Sequence, residues 1–135
     1  MTIPDLGFTL SQTYAAPPER VYAHFTDPDL IVRWFCPNPD LPTTAELDVR
    51  PGGDWRVTMG DWVVGGSYVE VEPVTRLVFT FDWEHDDEDP TTVTVQITPE
   101  GEVTRLVLEH EETSKDSGHE EGWLLTLARL DRLLS

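Results

Sequence analysis

A chain of 135 residues with a net charge of −17 is long enough for one domain with one core, and its charge opposes binding to phosphate backbones and anionic lipid surfaces. Its hydrophobic fraction of 39%, which includes five Trp, three Tyr and five Phe, is too high for a disordered protein. We therefore expect residues 1–135 to form a single domain that has neither nucleic acid nor membrane as a partner.

The sequence carries no mark of secretion or membrane insertion. Its one cysteine, Cys36, cannot form an intramolecular disulfide, so a secreted disulfide scaffold is not indicated. The first ten residues contain neither the basic stretch of a signal peptide nor an apolar run long enough to span a bilayer. We predict a cytoplasmic protein.

The first forty residues indicate one strand followed by two short helices. Alternation of apolar and polar residues predicts a strand over residues 8–14. Pro17 and Pro18 mark the start of a first helix, because proline is tolerated in the first helical turn. Asp27 is the expected N-cap of a second helix, with Pro28 at its first position.

Residues 45–111 are typical of a meander of about six short antiparallel strands separated by turn residues. The first is expected near residues 46–50, before a turn at Pro51–Gly53. The clearest period-two alternation is Leu77, Phe79, Phe81 and Trp83, which predicts four large side chains on one face of the sheet. The acidic residues 84–90 are expected at a solvated hairpin tip.

A long helix is expected at the C-terminal end. Ser117 and Glu120 have the spacing of a capping box, and Gly122 in the first turn is interpreted as allowing a close backbone approach. Apolar residues then recur at helical spacing: Trp123, Leu127, Leu130 and Leu134. This apolar stripe predicts a helix that packs on the sheet.

Four segments, taken in order, resemble the activator of Hsp90 ATPase homologue-like family of the START-like, or Bet v 1-like, superfamily: AAPPERVYAHFTDPDLIVRWF, RPGGDWRVTM, GGSYVEVEPVTRLVFTFDW and LVLEHEE followed by HEEGW. The resemblance implies an α+β helix-grip fold. In that fold a curved antiparallel sheet of about seven strands wraps around a long C-terminal helix, with two short helices after the first strand. It also implies a deep cavity between the sheet and the long helix.

The resemblance leaves three functions open. Members of the superfamily bind hydrophobic small molecules, which is the leading expectation here. The alternative is a protein-interaction module related to chaperone regulation, since the founder of the family acts on Hsp90. The third is an enzyme of the polyketide cyclase or aromatase type, with His110 as its acid/base.

The candidate ligand-binding residues are the aromatic and apolar side chains expected to face this cavity. They are Trp34, Trp55, Tyr68, Phe79, Phe81, Trp83, His110, Trp123 and Leu127. Tyr68 and Trp123 are expected to offer polar groups among apolar walls, and His110 to orient a ligand or act as a general base. The alternative for His110 is a structural role near a strand end, bonded to a neighbour such as Glu121 or to water. Aromatic residues at these spacings also form ordinary cores, so both interpretations stay open.

No catalytic or metal-binding motif stands out. The histidines lack the i, i+4 pairing and the cysteine partners of a zinc site, and no serine lies in a G-x-S-x-G elbow. Cys36 has no recognisable His and acid partners, so it is not expected to be a nucleophile. We expect no metal and no cofactor, whereas exposed edge strands in such a sheet leave a homodimer open.

Overall fold

The structure, a computed structural model, describes residues 7–36, 38, 40–84, 90–111 and 119–134. The strands are β1 (Phe8–Tyr14), β2 (Thr43–Leu47), β3 (Asp54–Met59), β4 (Trp62–Glu72), β5 (Arg76–Trp83), β6 (Thr91–Glu100) and β7 (Val103–Glu111). The helices are α1 (Pro18–Thr26), α2 (Pro28–Ile31) and α3 (His119–Leu134). All strand pairs are antiparallel, and the seven-stranded sheet has the order β1-β7-β6-β5-β4-β3-β2. The predicted helix-grip architecture is confirmed.

The two short helices begin where the proline positions predict. Pro17 is the N-cap of α1 and Pro18 its first residue. In α2 the side chain of Asp27 accepts a hydrogen bond from the backbone N–H of Asp29 at 2.9 Å, which satisfies a donor that the helix start leaves unpaired. The residues after α2 continue as turns, so Trp34 lies outside a regular helix.

Strand β2 lies earlier in the chain than the expected strand near residues 46–50. The N–H of Arg50 bonds to the carbonyl of Asp48, and the N–H of Gly53 to that of Arg50, so residues 48–53 form a tight turn. Gly52 has a φ of +84°, which favours glycine. This turn leaves Thr43–Leu47 to pair with β3. The hairpin tip expected over residues 84–90 lies mostly outside the described residues.

The sheet buries the alternating residues of β5 as expected. Leu77, Phe79 and Phe81 are buried, and Trp83 at the end of the strand is partly buried. On α3 the predicted stripe is also buried: Trp123, Leu127, Leu130 and Leu134 all belong to the one core. The expected capping residue Ser117 lies outside the described part of the chain.

Side chains of α3 donate hydrogen bonds to the carbonyls of residues 33–36, just after α2. The Thr126 hydroxyl bonds to the carbonyl of Phe35 at 3.1 Å. The guanidinium of Arg129 bonds to the carbonyls of Arg33 and Cys36. This segment is therefore attached to α3 by three bonds, in addition to apolar packing. None of the helices in the described residues combines the length and apolar character needed to cross a membrane.

The interpretation of Gly122 is wrong for the described structure. A Cβ atom built on Gly122 meets no atom of the described neighbours within 4 Å, so no close backbone approach requires glycine there. Its conformation has no positive φ. Gly122 therefore carries the entropic cost of glycine in a helix without a packing reason.

The buried stripe of α3 predicts a sharp contrast within the helix. Leu127→Ala or Leu130→Ala should lower the free energy of unfolding by about 2–5 kcal/mol, because each removes a fully buried side chain. Leu124 and Leu125, which are 53% and 51% exposed, are matched controls from the same helix. Their alanine variants should change stability by less than about 0.5 kcal/mol in chemical denaturation. Equal effects at all four positions would contradict this docking of α3.

Gly122→Ala should stabilise the protein. Alanine fits the open space beside α3 and loses less backbone freedom on folding, so the expected gain is about 1 kcal/mol. Urea titration of the two proteins would measure it. A destabilised Gly122→Ala variant would show that a neighbour does approach this position.

Candidate functional site

Six aromatic rings, contributed by the sheet, by α3 and by the segment after α2, contact one another in the core between these elements. We call these six the aromatic cluster: Phe35, Trp55, Tyr68, Phe79, Phe81 and Trp123. Ring centroids of Phe35 lie 6.0 Å from Trp55 and 5.6 Å from Trp123. Phe81 lies 6.0 Å from both of these indoles, so the four rings form a closed circuit. Most of the cluster's contacts are edge-to-face, the arrangement that aromatic quadrupoles favour.

The remaining predicted residues surround this cluster. Trp34 contacts Phe35 at 5.8 Å between centroids, Trp83 contacts Phe81 at 5.6 Å, and the imidazole of His110 contacts Phe81 at 5.0 Å. Leu127 is buried in the same core, one turn beyond Trp123 on α3. The structure therefore brings all nine predicted residues into one continuous core.

Sequence reasoning missed Phe35, the ring that joins Trp55 to Trp123. It belongs to neither a strand nor a helix, so no periodicity marks it. The only signal is its place directly after Trp34, in a motif shared with the resembled family. Its backbone carbonyl accepts the bond from Thr126, which holds the ring against α3.

Trp55 is positioned by a glycine on the neighbouring strand. Trp55 in β3 pairs directly with Gly66 in β4, and its indole N–H donates to the carbonyl of Thr80 in β5 at 2.9 Å. A Cβ atom on Gly66 would lie 2.2 Å from that same carbonyl oxygen. The missing side chain thus lets the indole reach across β4, which explains one glycine of the GGSY motif.

His110 forms a directional chain of hydrogen bonds across the site. Its Nδ1 accepts from the indole N–H of Trp123 at 3.0 Å. Since an indole can only donate, the proton of the neutral imidazole lies on Nε2, which donates to the Thr91 hydroxyl at 2.7 Å. Thr91 in turn donates to the carbonyl of Phe81 at 3.2 Å. Glu121, the neighbour suggested as a partner of His110, is exposed. The indole N–H of Trp123, expected as a polar group for a ligand, is used in the bond to His110.

Tyr68 differs from the other polar groups of the site in carrying an ionisable hydroxyl whose pKa is raised. Its ring lies against Phe79 at 6.3 Å, and burial raises the pKa of its hydroxyl, with Tyr22 and Asp48 raising that pKa further. The hydroxyl therefore stays protonated and neutral at ordinary pH. It can both donate and accept one hydrogen bond or more.

The residues of the cluster keep a small accessible surface. Each of its six rings is between 4% and 6% exposed. Val57, Val64 and Leu77, on the same three strands, are at most 1% exposed. Phe25 and Ile31, elsewhere in the core, are also 4% exposed, so this residual exposure is not confined to the rings.

A concavity on the opposite face of the sheet is acidic. This groove, of about 620 Å³, is lined by exposed groups that include Asp54, Asp82 and an ion pair between Arg56 and Glu84. Asp82 alternates with Phe81 and Trp83, and Trp55 is the one member of the aromatic cluster that lines this groove. Within the described ranges, no group of three or more His, Cys, Asp or Glu could hold a metal ion.

The chain is similar to several solved structures over almost its full length. Protein CV1439 from Chromobacterium violaceum is 27% identical, with a TM-score of 0.84 and coverage of 97% of this chain and 98% of that one. CalU16 from Micromonospora echinospora is 29% identical, with a TM-score of 0.77 and coverage of 100% and 82%. DynU16, a protein of the dynemicin biosynthetic locus, is 24% identical and shows the fold alone, with a TM-score of 0.82 and coverage of 97% and 48%.

Among curated proteins none matches this sequence. The family model described as activator of Hsp90 ATPase homolog 1-like protein matches residues 15–135, which contain every residue of the aromatic cluster. The chain therefore belongs to the activator of Hsp90 ATPase homolog 1-like family.

Proposed function

We propose that this protein binds a hydrophobic small molecule among the rings of the aromatic cluster, between the sheet and α3. The observation that carries the proposal is the meeting of six aromatic rings from β3–β5, α3 and the segment after α2, each still 4–6% exposed. Aromatic and apolar side chains line most pockets that bind small molecules, because they supply large contact areas. The family fold, a sheet that grips one long helix, supports the same function.

The chemistry of the cluster fits an apolar ligand with flat rings. Aromatic pairs add about 0.5–1.5 kcal/mol each beyond the area they bury, so a flat ring bound against the cluster would gain such contacts. The site is assembled from three separate parts of the chain, so a bound molecule would contact β3–β5, α3 and the segment after α2 together. Ligand binding should therefore stabilise the whole fold.

Ligand binding should be detectable as a thermal shift accompanied by a change in Trp fluorescence. The test is a screen of sterols, flavonoids, fatty acids and aromatic polyketides. Mass action predicts a stabilisation of about 2.7 kcal/mol at a ligand concentration one hundred times its dissociation constant. Phe81→Leu should weaken the response, because Phe81 contacts both Trp55 and Trp123. Glu109→Ala, on the exposed face of β7, should leave it unchanged.

Two results would count against the proposal. One is a complete lack of response across the screen. The other is a response that Phe81→Leu and Glu109→Ala leave equally intact, since the ligand would then bind elsewhere. Phe81→Leu is preferred to alanine because truncation of a buried phenylalanine costs about 3–5 kcal/mol and confuses binding with folding.

His110 acts here as a positioning residue. A general base needs a lone pair directed at the substrate, whereas the Nδ1 lone pair accepts from Trp123 and Nε2 is bonded to Thr91. The chain of bonds fixes the indole of Trp123 and the backbone of Phe81, two members of the aromatic cluster. A cyclase-type reaction with His110 as the base would first have to break the bond to Trp123.

A double-mutant cycle tests this role of His110. His110→Ala leaves the indole N–H of Trp123 buried without its acceptor, so we expect a loss of about 1–3 kcal/mol in the free energy of unfolding. In a Trp123→Phe background that part of the penalty disappears, which should give a coupling energy of about 1 kcal/mol or more. Strictly additive effects would contradict the bond. Substrate turnover that only His110→Ala abolishes, with the fold intact, would favour the enzyme instead.

A chaperone-related interaction is the second candidate function, favoured by the family description and by two exposed leucines. Leu124 and Leu125 lie on the outer side of α3, away from the aromatic cluster. A pull-down with purified Hsp90 would test it. Capture that is lost on replacing both leucines with serine, yet indifferent to Phe81→Leu, would favour this function over ligand binding.

A further inference from the structure

Tyr68 is the exception among the buried polar side chains of the described residues. The hydroxyls of Tyr14, Thr104 and Thr126 donate to the carbonyls of Leu127, Ala16 and Phe35. The buried indoles and histidines also have partners: Trp34, Trp55, Trp123, His24 and His110. Tyr68 is 4% exposed, yet no hydrogen bond of its hydroxyl to a described residue occurs. Such a group calls for a partner from outside the described protein atoms.

The place of Tyr68 links this hydroxyl to the proposed ligand site. It pairs directly with Phe79 across β4 and β5, and its ring packs against that of Phe79. Phe79 in turn contacts Trp55 at 5.4 Å, so Tyr68 ends the row of rings on the side away from Trp123. Of the polar groups carried by the cluster's own rings, the Tyr68 hydroxyl is the one left for a ligand, since the N–H groups of Trp55 and Trp123 are already engaged.

No cationic side chain of the described residues faces this site. The buried polar and charged residues are two histidines and two threonines, and each has a protein partner. Arg129, the arginine attached nearest to Phe35, directs its guanidinium to backbone carbonyls. A carboxylate entering the site would lose its hydration without gaining a counter-ion, which is strongly unfavourable.

We propose that the site takes an uncharged, ring-containing molecule whose carbonyl or hydroxyl oxygen accepts a hydrogen bond from the hydroxyl of Tyr68. This inference rests on the proposed function and narrows its ligand class. It excludes fatty acids and other anionic amphiphiles at neutral pH. Burial keeps the tyrosine hydroxyl protonated, so that it remains a donor over the physiological pH range.

Three probes of similar size and shape test the inference. They are 9-fluorenone, which carries a ring carbonyl, fluorene, which lacks it, and fluorene-9-carboxylate, which is anionic. Binding to the full chain would be measured by quenching of Trp fluorescence and by thermal shift. We expect fluorenone to bind about tenfold more tightly than fluorene, the ratio that one satisfied hydrogen bond provides. The carboxylate should bind more weakly than either neutral probe.

Tyr68→Phe should remove the preference for fluorenone while leaving the affinity for fluorene unchanged. It should also leave the stability of the ligand-free protein unchanged, because no protein hydrogen bond is lost. Tyr14→Phe is the matched control: its hydroxyl bonds to the carbonyl of Leu127, so that variant should lose stability and keep the preference. The stability comparison needs no ligand and therefore tests the unpartnered hydroxyl separately.

The outcomes separate this inference from the proposed function. Equal binding of fluorenone and fluorene to the unaltered protein, or a preference that survives Tyr68→Phe, would overturn the hydrogen bond and leave hydrophobic binding standing. Carboxylate binding as tight as that of fluorenone would overturn the restriction to uncharged ligands. Failure of all three probes to bind would count against the proposed function, and the inference would fall with it.

Discussion

Helix α3 is tied to the residues after α2 by hydrogen bonds that its side chains donate to backbone carbonyls, and the assembly of the site depends on that attachment. Thr126 and Arg129 lie on the same helix as Trp123 and Leu127, so one rigid element carries both the apolar stripe and these donors. The carbonyls they bind belong to a segment with no regular secondary structure of its own. Together with a local bond from the N–H of Phe35 to the carbonyl of Ile31, these bonds hold the Phe35 ring between Trp55 and Trp123.

Hydrogen bonds to fixed acceptors also hold the other buried polar side chains of the described residues, with the hydroxyl of Tyr68 as the exception. Each buried indole N–H in the described residues donates to a fixed acceptor, and two of the three acceptors are backbone carbonyls. The third is His110, whose tautomer is set by Trp123 and whose second nitrogen continues to Thr91 and Phe81. A ring held at its polar end as well as its apolar body cannot rotate freely. The cluster is therefore pre-formed, which lowers the ordering cost that a ligand would otherwise meet.

Much of this could be predicted from the sequence, because two periodicities and a few proline positions determine it. The period-two run of β5 and the apolar stripe of α3 placed seven large residues correctly on the inner side. The prolines likewise fixed the starts of α1 and α2. These signals are local, and they survive because burial on one face of an element leaves a repeating pattern.

Contacts across strands could not be predicted in the same way. That Trp55 reaches over Gly66 to Thr80 depends on the register of three strands, which no single segment records. Strand β2 lies earlier in the chain than predicted for a related reason. Residues 48–53 form a turn, and hydrogen bonds within that turn take the place of strand pairing. Phe35 was not predicted as a site residue because it lies in an irregular segment, where no periodicity marks the buried positions. Glu121 was a wrong partner for His110 because it lies two residues before Trp123, about 200° around the helix from the buried stripe, and is exposed.

The two faces of α3 separate the functions that the family allows. Trp123 and Leu127 face the sheet, and a small molecule among the rings would contact this side. Leu124 and Leu125 face outward, and a protein partner would meet only these. A substitution on one face therefore tests one function without touching the other, unless binding inside shifts the helix. Thr126 and Arg129 bond α3 to the segment that carries Phe35. A ligand that displaced the Phe35 ring would therefore also displace the helix. Coupling between the two faces, if a partner binds the outer one, would have to pass through those bonds.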